Sequence, residues 1–140
     1  MKYHGCVLDF TDQRNDALMK AYREAICECE QICIADIAQR IVNKPCERFW
    51  VSEERAMVVC AALMQGKPVL EPMRPTKREM FQEIYKRVMD MKKGNEDCDL
   101  LTLVVHVVNS PAPKFYMRPR CAMEIIYKVK KGFYENQFRR

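Results

Sequence analysis

Glycine is scarce in this sequence, and signals of export and membrane insertion are missing from it. Only 4 of 140 residues are glycine, while 49% are hydrophobic and 31% are charged. Such a chain can bury a sizeable core as one domain or two intimate halves, and its composition is not that of a disordered chain. The longest apolar stretch, LLTLVVHVV, is far shorter than the roughly 20 residues of a membrane-spanning helix. The N-terminus has no apolar segment of signal-peptide length. We therefore expect a folded cytoplasmic protein with no membrane partner.

Sequence motifs for catalysis are also missing. The chain contains no glycine-rich phosphate loop, no G-x-S-x-G nucleophile turn, no Glu-x-x-His pair and no His-rich metal motif. These patterns place nucleophiles, phosphates or metals at fixed positions, and nothing else in the chain supplies a comparable arrangement. We therefore predict a protein that is not an enzyme and has no cofactor.

The sequence has eight cysteines, but they are not arranged as a disulfide framework. Cys60 and Cys121 lie among apolar residues, and no export signal is present, so reduced thiols are expected. The one cluster is CECEQIC, which contains Cys27, Cys29 and Cys33. It lacks the paired Cys-x-x-Cys spacing of structural zinc sites. A turn within it, with His4 or Cys6 as a fourth ligand, is the alternative that would create a metal site.

Two segments of the chain have similar loop sequences. NKPCERFWV begins at residue 43, and NSPAPKFYM begins at residue 109. Residues 33–66 align with 99–132 at a constant offset of 66 without a gap. Identical pairs include Asn43/Asn109, Pro45/Pro111, Phe49/Phe115, Ala56/Ala122 and Gly66/Gly132. This agreement predicts an internal duplication.

Helical periodicity assigns three helices to each copy. The predicted fold is all-α, with a first repeat at 1–66, a proline-containing linker at 67–76 and a second repeat at 77–140. The expected helices are 12–29, 33–43 and 52–66 in the first copy, and 76–93, 99–108 and 119–132 in the second. The β-branched stretch at 100–108 could be a buried strand, but its register with 34–42 favours a helix.

The ends of these helices have recognisable signals. Ser52 is a predicted N-cap, and Thr76 with Glu79 is a predicted capping box. Asn43 and Asn109 occupy positions where a helix ends, for which we expect left-handed backbone geometry. The two glycines at 66 and 132 are typical C-terminal stop residues.

Three sequence segments resemble those of a known group of proteins. RFWVSEERA, MRPTKREMF and VVNSPAPKFY resemble sequences of short uncharacterised proteins from anaerobic gut bacteria, over about residues 30–130. The resemblance implies a bacterial protein. It carries over no catalytic or binding residue.

The doubled loop has two interpretations. Arg48 with Phe49 and Trp50, and their counterparts in the second copy, could form exposed surfaces that stack on bases and clamp phosphates. The aromatic rings could instead be wedges that close each three-helix unit beneath the cationic side chains. Because the motif occurs in both copies although the copies differ in charge, the structural interpretation is favoured.

The two copies differ in net charge. Residues 1–66 carry 8 Lys and Arg against 10 Asp and Glu, a net charge of −2, whereas 67–140 carry 16 against 9, a net charge of +7. The second copy is therefore the expected anion-binding half. Its candidate nucleic-acid-binding residues are Lys77, Arg78, Lys86, Arg87, Lys114, Tyr116, Arg118, Arg120, Lys128 and Lys131.

Helix order in the second copy gives a limited likeness to DNA-binding proteins. Where the first copy begins its third helix with SEER, the second has RPRC, which attracts anions to the helix start. A helix followed by one with a basic N-terminus is the order of a helix-turn-helix. The connection from Asn109 to Arg118 is longer than the usual 3–4 residues, so the arrangement is helix-turn-helix-like at best.

Two functional hypotheses follow. The first is a non-catalytic nucleic-acid-binding protein, regulatory or carried by a mobile element, that uses its basic second copy and takes DNA or RNA as its partner. The second is a protein-interaction module, or a homodimer, with an apolar groove. The residues expected to line that groove are Met57, Met64, Met73, Met89, Met91 and Met123.

Overall fold

A computed structural model describes residues 2–28, 30–31 and 33–132, with side chains described from residue 10 onward. Within these ranges the chain forms six helices. They are α1 (Lys2–Glu28), α2 (Ile34–Ile41), α3 (Glu53–Met64), α4 (Pro75–Gly94), α5 (Leu100–Val108) and α6 (Pro119–Lys130).

The fold is all-α, which confirms the predicted class. The stretch at 100–108 is a helix and not a strand, so its register with the first copy was the better guide. In the described ranges, extended pairing is limited to one antiparallel bridge between Cys46 and Ala112. None of the helices seen there combines the length and apolarity needed to cross a bilayer.

Two helix starts differ from the prediction. Helix α1 begins ten residues earlier than expected, because the segment before residue 12 contains no proline and a single glycine costs only about 1 kcal/mol. Helix α4 begins at Pro75 with Arg74 as its N-cap, so the predicted Thr76 capping box was wrong. Proline is favoured at the first helical position because its missing N–H has no partner there anyway.

The other helix ends are a mixture of confirmed and corrected predictions. Ser52 caps α3 by accepting a hydrogen bond from the Arg55 N–H at 3.1 Å. Gly66 and Gly132 have φ of 79° and 72°, as expected for stop residues. Asn43 and Asn109 do not have positive φ. Their side-chain amides instead donate to the carbonyls four residues earlier, at 3.0 and 2.8 Å.

The helices pack in two bundles that do not follow the two sequence copies. One core is built by α3, α4 and α5 around Phe81 and Ile84, and the other by α1, α2 and α6 around Leu18 and Ile37. Helices α3 and α6 are therefore exchanged: each third helix packs on the first two helices of the other copy. The division into 1–66 and 77–140 describes the sequence repeat and not the packing.

The doubled loops produce this exchange by crossing each other. The backbones of Cys46 and Ala112 exchange two hydrogen bonds, at 3.0 and 2.9 Å. The Phe49 N–H donates to the Val108 carbonyl at 3.0 Å, and the Phe115 N–H donates to the Val42 carbonyl at 2.9 Å. All these partners are related by the offset of 66 residues. The sequence repeat thus recurs in the hydrogen bonds, although the duplication itself stays a prediction.

Neighbouring aromatic residues in each loop enter opposite cores. Phe49 packs in the core of α3, α4 and α5, where its ring stacks with Tyr116 at 6.0 Å between centroids. Trp50 packs in the other core, where it stacks with Phe115 at 6.2 Å. Phe49, Trp50 and Phe115 are buried, so these rings are wedges and do not form an exposed stacking surface.

The exchanged packing predicts which core residues are energetically coupled. Ile126→Ala in α6 and Ile37→Ala in α2 should each cost about 2–5 kcal/mol of unfolding free energy, because both side chains are fully buried in one core. Combined, they should deviate from additivity by about 0.5–3 kcal/mol in urea unfolding.

The matched control pairs Ile126→Ala with Ile84→Ala. Ile84 belongs to the same sequence copy as Ile126 but lies in the other core. We expect these two costs to add within about 0.5 kcal/mol. Strong coupling of Ile126 with Ile84 and additivity with Ile37 would contradict the exchange.

Candidate functional site

A surface cavity of about 230 Å³ lies where the two bundles meet. The starts of α4 and α6 form two of its walls, and α1 and the doubled loops contribute the rest. Its lining residues are Arg14, Trp50, Arg74, Thr76, Lys77, Met80, Phe115, Tyr116, Met117, Arg118, Cys121 and Ile125. We call it the cationic pocket.

Four cations and no carboxylate are found among the described lining residues of the cationic pocket. Arg74, Lys77 and Arg118 are exposed. In the part of the chain that the structure describes, their side chains make no hydrogen bond or ion pair. Arg14 is half-buried, and its guanidinium donates to the Asn15 side chain at 3.1 and 3.2 Å. Three of the four positive charges are thus available to an anion from solution.

Both helix starts at the cationic pocket also favour negative charge. Arg74 and Arg118 are the N-caps of α4 and α6, and neither side chain caps its helix. Neither helix has an acidic residue in its first turn. The first N–H groups of a helix lack intrahelical partners and carry part of the positive end of the helix dipole. An anion in this position would gain from two helix dipoles as well as from the side chains.

Tyr116 gives the cationic pocket a rigid aromatic wall. It is half-buried and has φ of 57°, a left-handed conformation that non-glycine residues seldom adopt. Its stack on Phe49 and the ammonium of Lys114, 5.5 Å from its ring centre, hold it in place. Burial, with a contribution from Glu83, raises the pKa of the Tyr116 hydroxyl to about 12. The hydroxyl therefore stays protonated and can act as a hydrogen-bond donor at neutral pH.

Of the ten predicted binding residues, the structure brings Lys77, Tyr116 and Arg118 together in the cationic pocket. Two further lining cations were missed from sequence, for different reasons. Arg14 belongs to the acidic first copy, and Arg74 lies in the predicted linker. The parallel between RPTK at the start of α4 and RPRC at the start of α6 was the available signal for Arg74.

Arg78 and Arg87 have structural contacts instead. The Arg78 guanidinium donates to the carbonyls of Leu70, Glu71 and Met73 at 2.9–3.3 Å, which fixes the linker in a turn. Arg87 pairs with Glu83 at 2.8 Å and donates to the Pro111 carbonyl at 2.7 Å. Its guanidinium carbon also lies 5.1 Å from the Phe49 ring centre. Because these guanidinium donors bond to the protein itself, the two residues are poor candidates for ligand contact.

The other predicted binding residues lie outside the cationic pocket. Lys114 pairs with Glu79 at 3.1 Å. Arg120 is exposed and lies 3.8 Å from the Glu124 carboxylate. Lys131 is exposed beside the Tyr127 ring, at 4.5 Å from its centre. Lys86 and Lys128 are also exposed. The basic surplus is therefore divided between one concentrated site and scattered surface charge.

The predicted helix-turn-helix-like arrangement of α5 and α6 is not present in the structure. The two helices of that motif pack against each other, but α5 contacts α3 and α4, whereas α6 contacts α1 and α2. The crossing of the doubled loops sends α6 to the other bundle. This correction removes the argument for a recognition helix in the major groove.

The methionines of the second hypothesis do not line one groove. Met57, Met73 and Met91 pack against the core of α3, α4 and α5, whereas Met123 packs against the other core. Met64 is 43% exposed. The interaction-module hypothesis gains no specific surface from this arrangement and stays a prediction.

The cysteine cluster can be described only in part. Cys27 lies near the end of α1 and Cys33 precedes α2, and both are exposed. Cys29 and the side chains of His4 and Cys6 lie outside the described residues. Among those described, no three His, Cys, Asp or Glu side chains are grouped to hold a metal ion.

A larger cavity of about 480 Å³ is lined by residues of α1, the first doubled loop and Phe115. Its lining includes the carboxylates of Asp16, Glu24 and Glu47 and the ammonium groups of Lys20 and Lys44. Because both charge signs are present in nearly equal number, this cavity lacks the anion preference of the cationic pocket. It is therefore the less suitable candidate for a phosphate.

Cys46 lines the larger cavity and also takes part in the loop crossing. Its thiol donates to the carbonyls of Lys114 at 3.3 Å and Arg48 at 3.5 Å. Burial raises the pKa of this thiol to about 11, although the neighbouring Trp50 indole acts in the opposite direction. That indole Nε1 is buried without a partner in hydrogen-bond geometry among the described atoms.

Comparison with known proteins gives no match. No protein-family model, no curated protein and no solved structure is similar to this chain. The resemblance to short proteins of gut bacteria stays a prediction, and the functional argument depends on the geometry of the cationic pocket.

The half-buried Cys46 thiol predicts how stability depends on pH. Because its folded pKa is raised from 9.0 to about 11, its contribution is complete below pH 9 and is lost as the pH rises towards 11. The unfolding free energy of the wild type should therefore fall more between pH 8 and pH 10.5 than that of Cys46→Ala. Ala112 occupies the equivalent position, so alanine should fit the crossing.

Urea unfolding at both pH values measures the difference. Cys98→Ala, which removes an exposed thiol, is the control for loss of a cysteine. An equal decline in wild type and Cys46→Ala would contradict the buried position of this thiol.

Proposed function

We propose that the protein is a non-catalytic nucleic-acid-binding protein that holds a phosphate group of the nucleic acid in the cationic pocket. One observation carries the proposal: four cations and two uncapped helix starts share a cavity whose described lining has no carboxylate. Arginine is well suited to phosphate because its planar fork can donate two parallel hydrogen bonds to phosphate oxygens.

The charge outside the cationic pocket also favours a polyanion. The whole chain has a net charge of +5, and Lys86, Arg120, Lys128 and Lys131 are exposed at positions outside the lining. Such a field attracts a polyanion over several ångströms and raises its rate of association. A small anion needs only the pocket itself, whereas a nucleic acid gains from both.

The expected mode of binding is contact with phosphates and sugars rather than with base edges. The described helices α5 and α6 do not form a packed helix-turn-helix, the arrangement that would place a reading helix in the major groove. Phosphate contacts fix position but carry no sequence information. We therefore expect weak sequence preference and a strong dependence on salt.

Charge reversal in the cationic pocket tests the proposal. Lys77→Glu/Arg118→Glu should weaken binding to single-stranded DNA and RNA by at least about tenfold in fluorescence anisotropy. Each lost phosphate contact should also reduce the slope of log K against log salt by about 0.7. Measurements between about 50 and 200 mM salt give that slope.

The control is Lys67→Glu/Lys93→Glu, which changes net charge equally at two exposed lysines outside the cationic pocket. It should weaken binding less and leave the slope nearly unchanged. Equal effects of both double variants would show binding by diffuse charge. Failure of the wild type to bind at low salt would refute nucleic-acid binding and leave a protein partner as the alternative.

A further inference from the structure

The cationic pocket also indicates which part of a nucleic acid it binds. We infer that it receives the terminal phosphate monoester of a strand rather than an internal phosphodiester. The inference rests on the proposed function, and three properties of the pocket support it.

The first property is size and shape. A volume of about 230 Å³ is below the roughly 300–1,000 Å³ of pockets for drug-sized ligands. It suits one phosphate group and part of its sugar. An internal phosphate is esterified to a nucleotide on each side, so it could enter only if the strand both entered and left the same small cavity. A terminal phosphate has one such connection and can enter end-on.

The second property is the amount of positive charge at one place. An internal phosphodiester carries one negative charge, whereas a phosphate monoester carries about −1.5 to −2 at pH 7. The lining has four cations in addition to the positive ends of two helices. No described lining residue is acidic, so the second charge of a monoester would meet no carboxylate in the lining itself.

The third property is the type of polar group in the wall. Arginine and lysine side chains are donors without an acceptor, and the Thr76 hydroxyl can also donate. A monoester presents three terminal oxygens, whereas a diester presents two. The apolar part of the lining, including Met80, Met117 and Ile125, would contact the sugar. The wall therefore matches a group that accepts many hydrogen bonds at one end and is less polar at the other.

Competition against a labelled single strand tests the inference with the wild-type protein. The unlabelled competitors have one sequence and differ only in their ends: 5′-hydroxyl, 5′-phosphate and 3′-phosphate. At least one phosphorylated form should compete about tenfold or more better than the hydroxyl form, as expected for several hydrogen bonds to a charged group. Equal competition by all three would overturn the inference while leaving nucleic-acid binding intact.

Two further competitors distinguish a strand end from a free phosphate compound. Inorganic phosphate and a nucleoside 5′-monophosphate should compete at least about tenfold less well than the phosphorylated strand, because they lack the contacts of the backbone with the surrounding charge. Competition by either one as strong as that of the strand would overturn the strand-end assignment. If no strand binds at all, the proposed function and the inference fail together.

Two arginines separated by one residue, Arg118 and Arg120, provide a matched pair of variants. Arg118→Ala should reduce the preference for a phosphorylated end several-fold, because Arg118 lines the cationic pocket. Arg120→Ala removes the same charge two residues further along α6, outside the lining, and should retain the preference. Circular dichroism checks that both variants are folded. Equal loss of preference in both would contradict the assignment to this pocket.

Discussion

The crossing of the two doubled loops determines the rest of the structure. Two hydrogen bonds between Cys46 and Ala112 join the loops, and Phe49 and Phe115 each donate to the end of a helix in the other copy. The stacks of Phe49 on Tyr116 and of Trp50 on Phe115 connect the crossing loops to the two cores. Because each loop passes to the far side of the other, each third helix packs on the opposite copy.

The same crossing creates the candidate site. It brings the start of α6 next to the start of α4, although α6 packs in a different bundle from α4. Both helices begin with Arg-Pro, which places a proline where no N–H is needed and leaves the following N–H groups without a side-chain cap. In α3, by contrast, Ser52 and two glutamates satisfy or neutralise the helix start. The difference between capped and uncapped starts is what makes this corner suitable for an anion.

Local features of this fold could be predicted from sequence, and long-range ones could not. The periodic apolar residues of α2, the Ser52 cap and the two glycine stops depend on neighbours within a few residues, and each was found. Helix α5 was assigned only through its register with α2. Exchange of α3 and α6 was not predicted, because a helix shows the same apolar face whichever copy it packs on. The structural contacts of Arg78 and Arg87 could not be predicted for a related reason: a sequence count of charge does not show which guanidinium groups donate to backbone carbonyls. Arg14 was missed because net charge was assessed along the chain and not across the bundle interface.

Mapping of the bound ligand by NMR tests the central claim most directly. A ¹H–¹⁵N titration with a short 5′-phosphorylated strand should shift the backbone amides of Thr76, Lys77 and Cys121. The single tryptophan, Trp50, provides an indole signal from the same cavity. The account predicts that these signals move together and saturate at one ligand per chain. Shifts concentrated around Lys20, Lys44 and Glu47, or spread evenly over the exposed lysines, would contradict it.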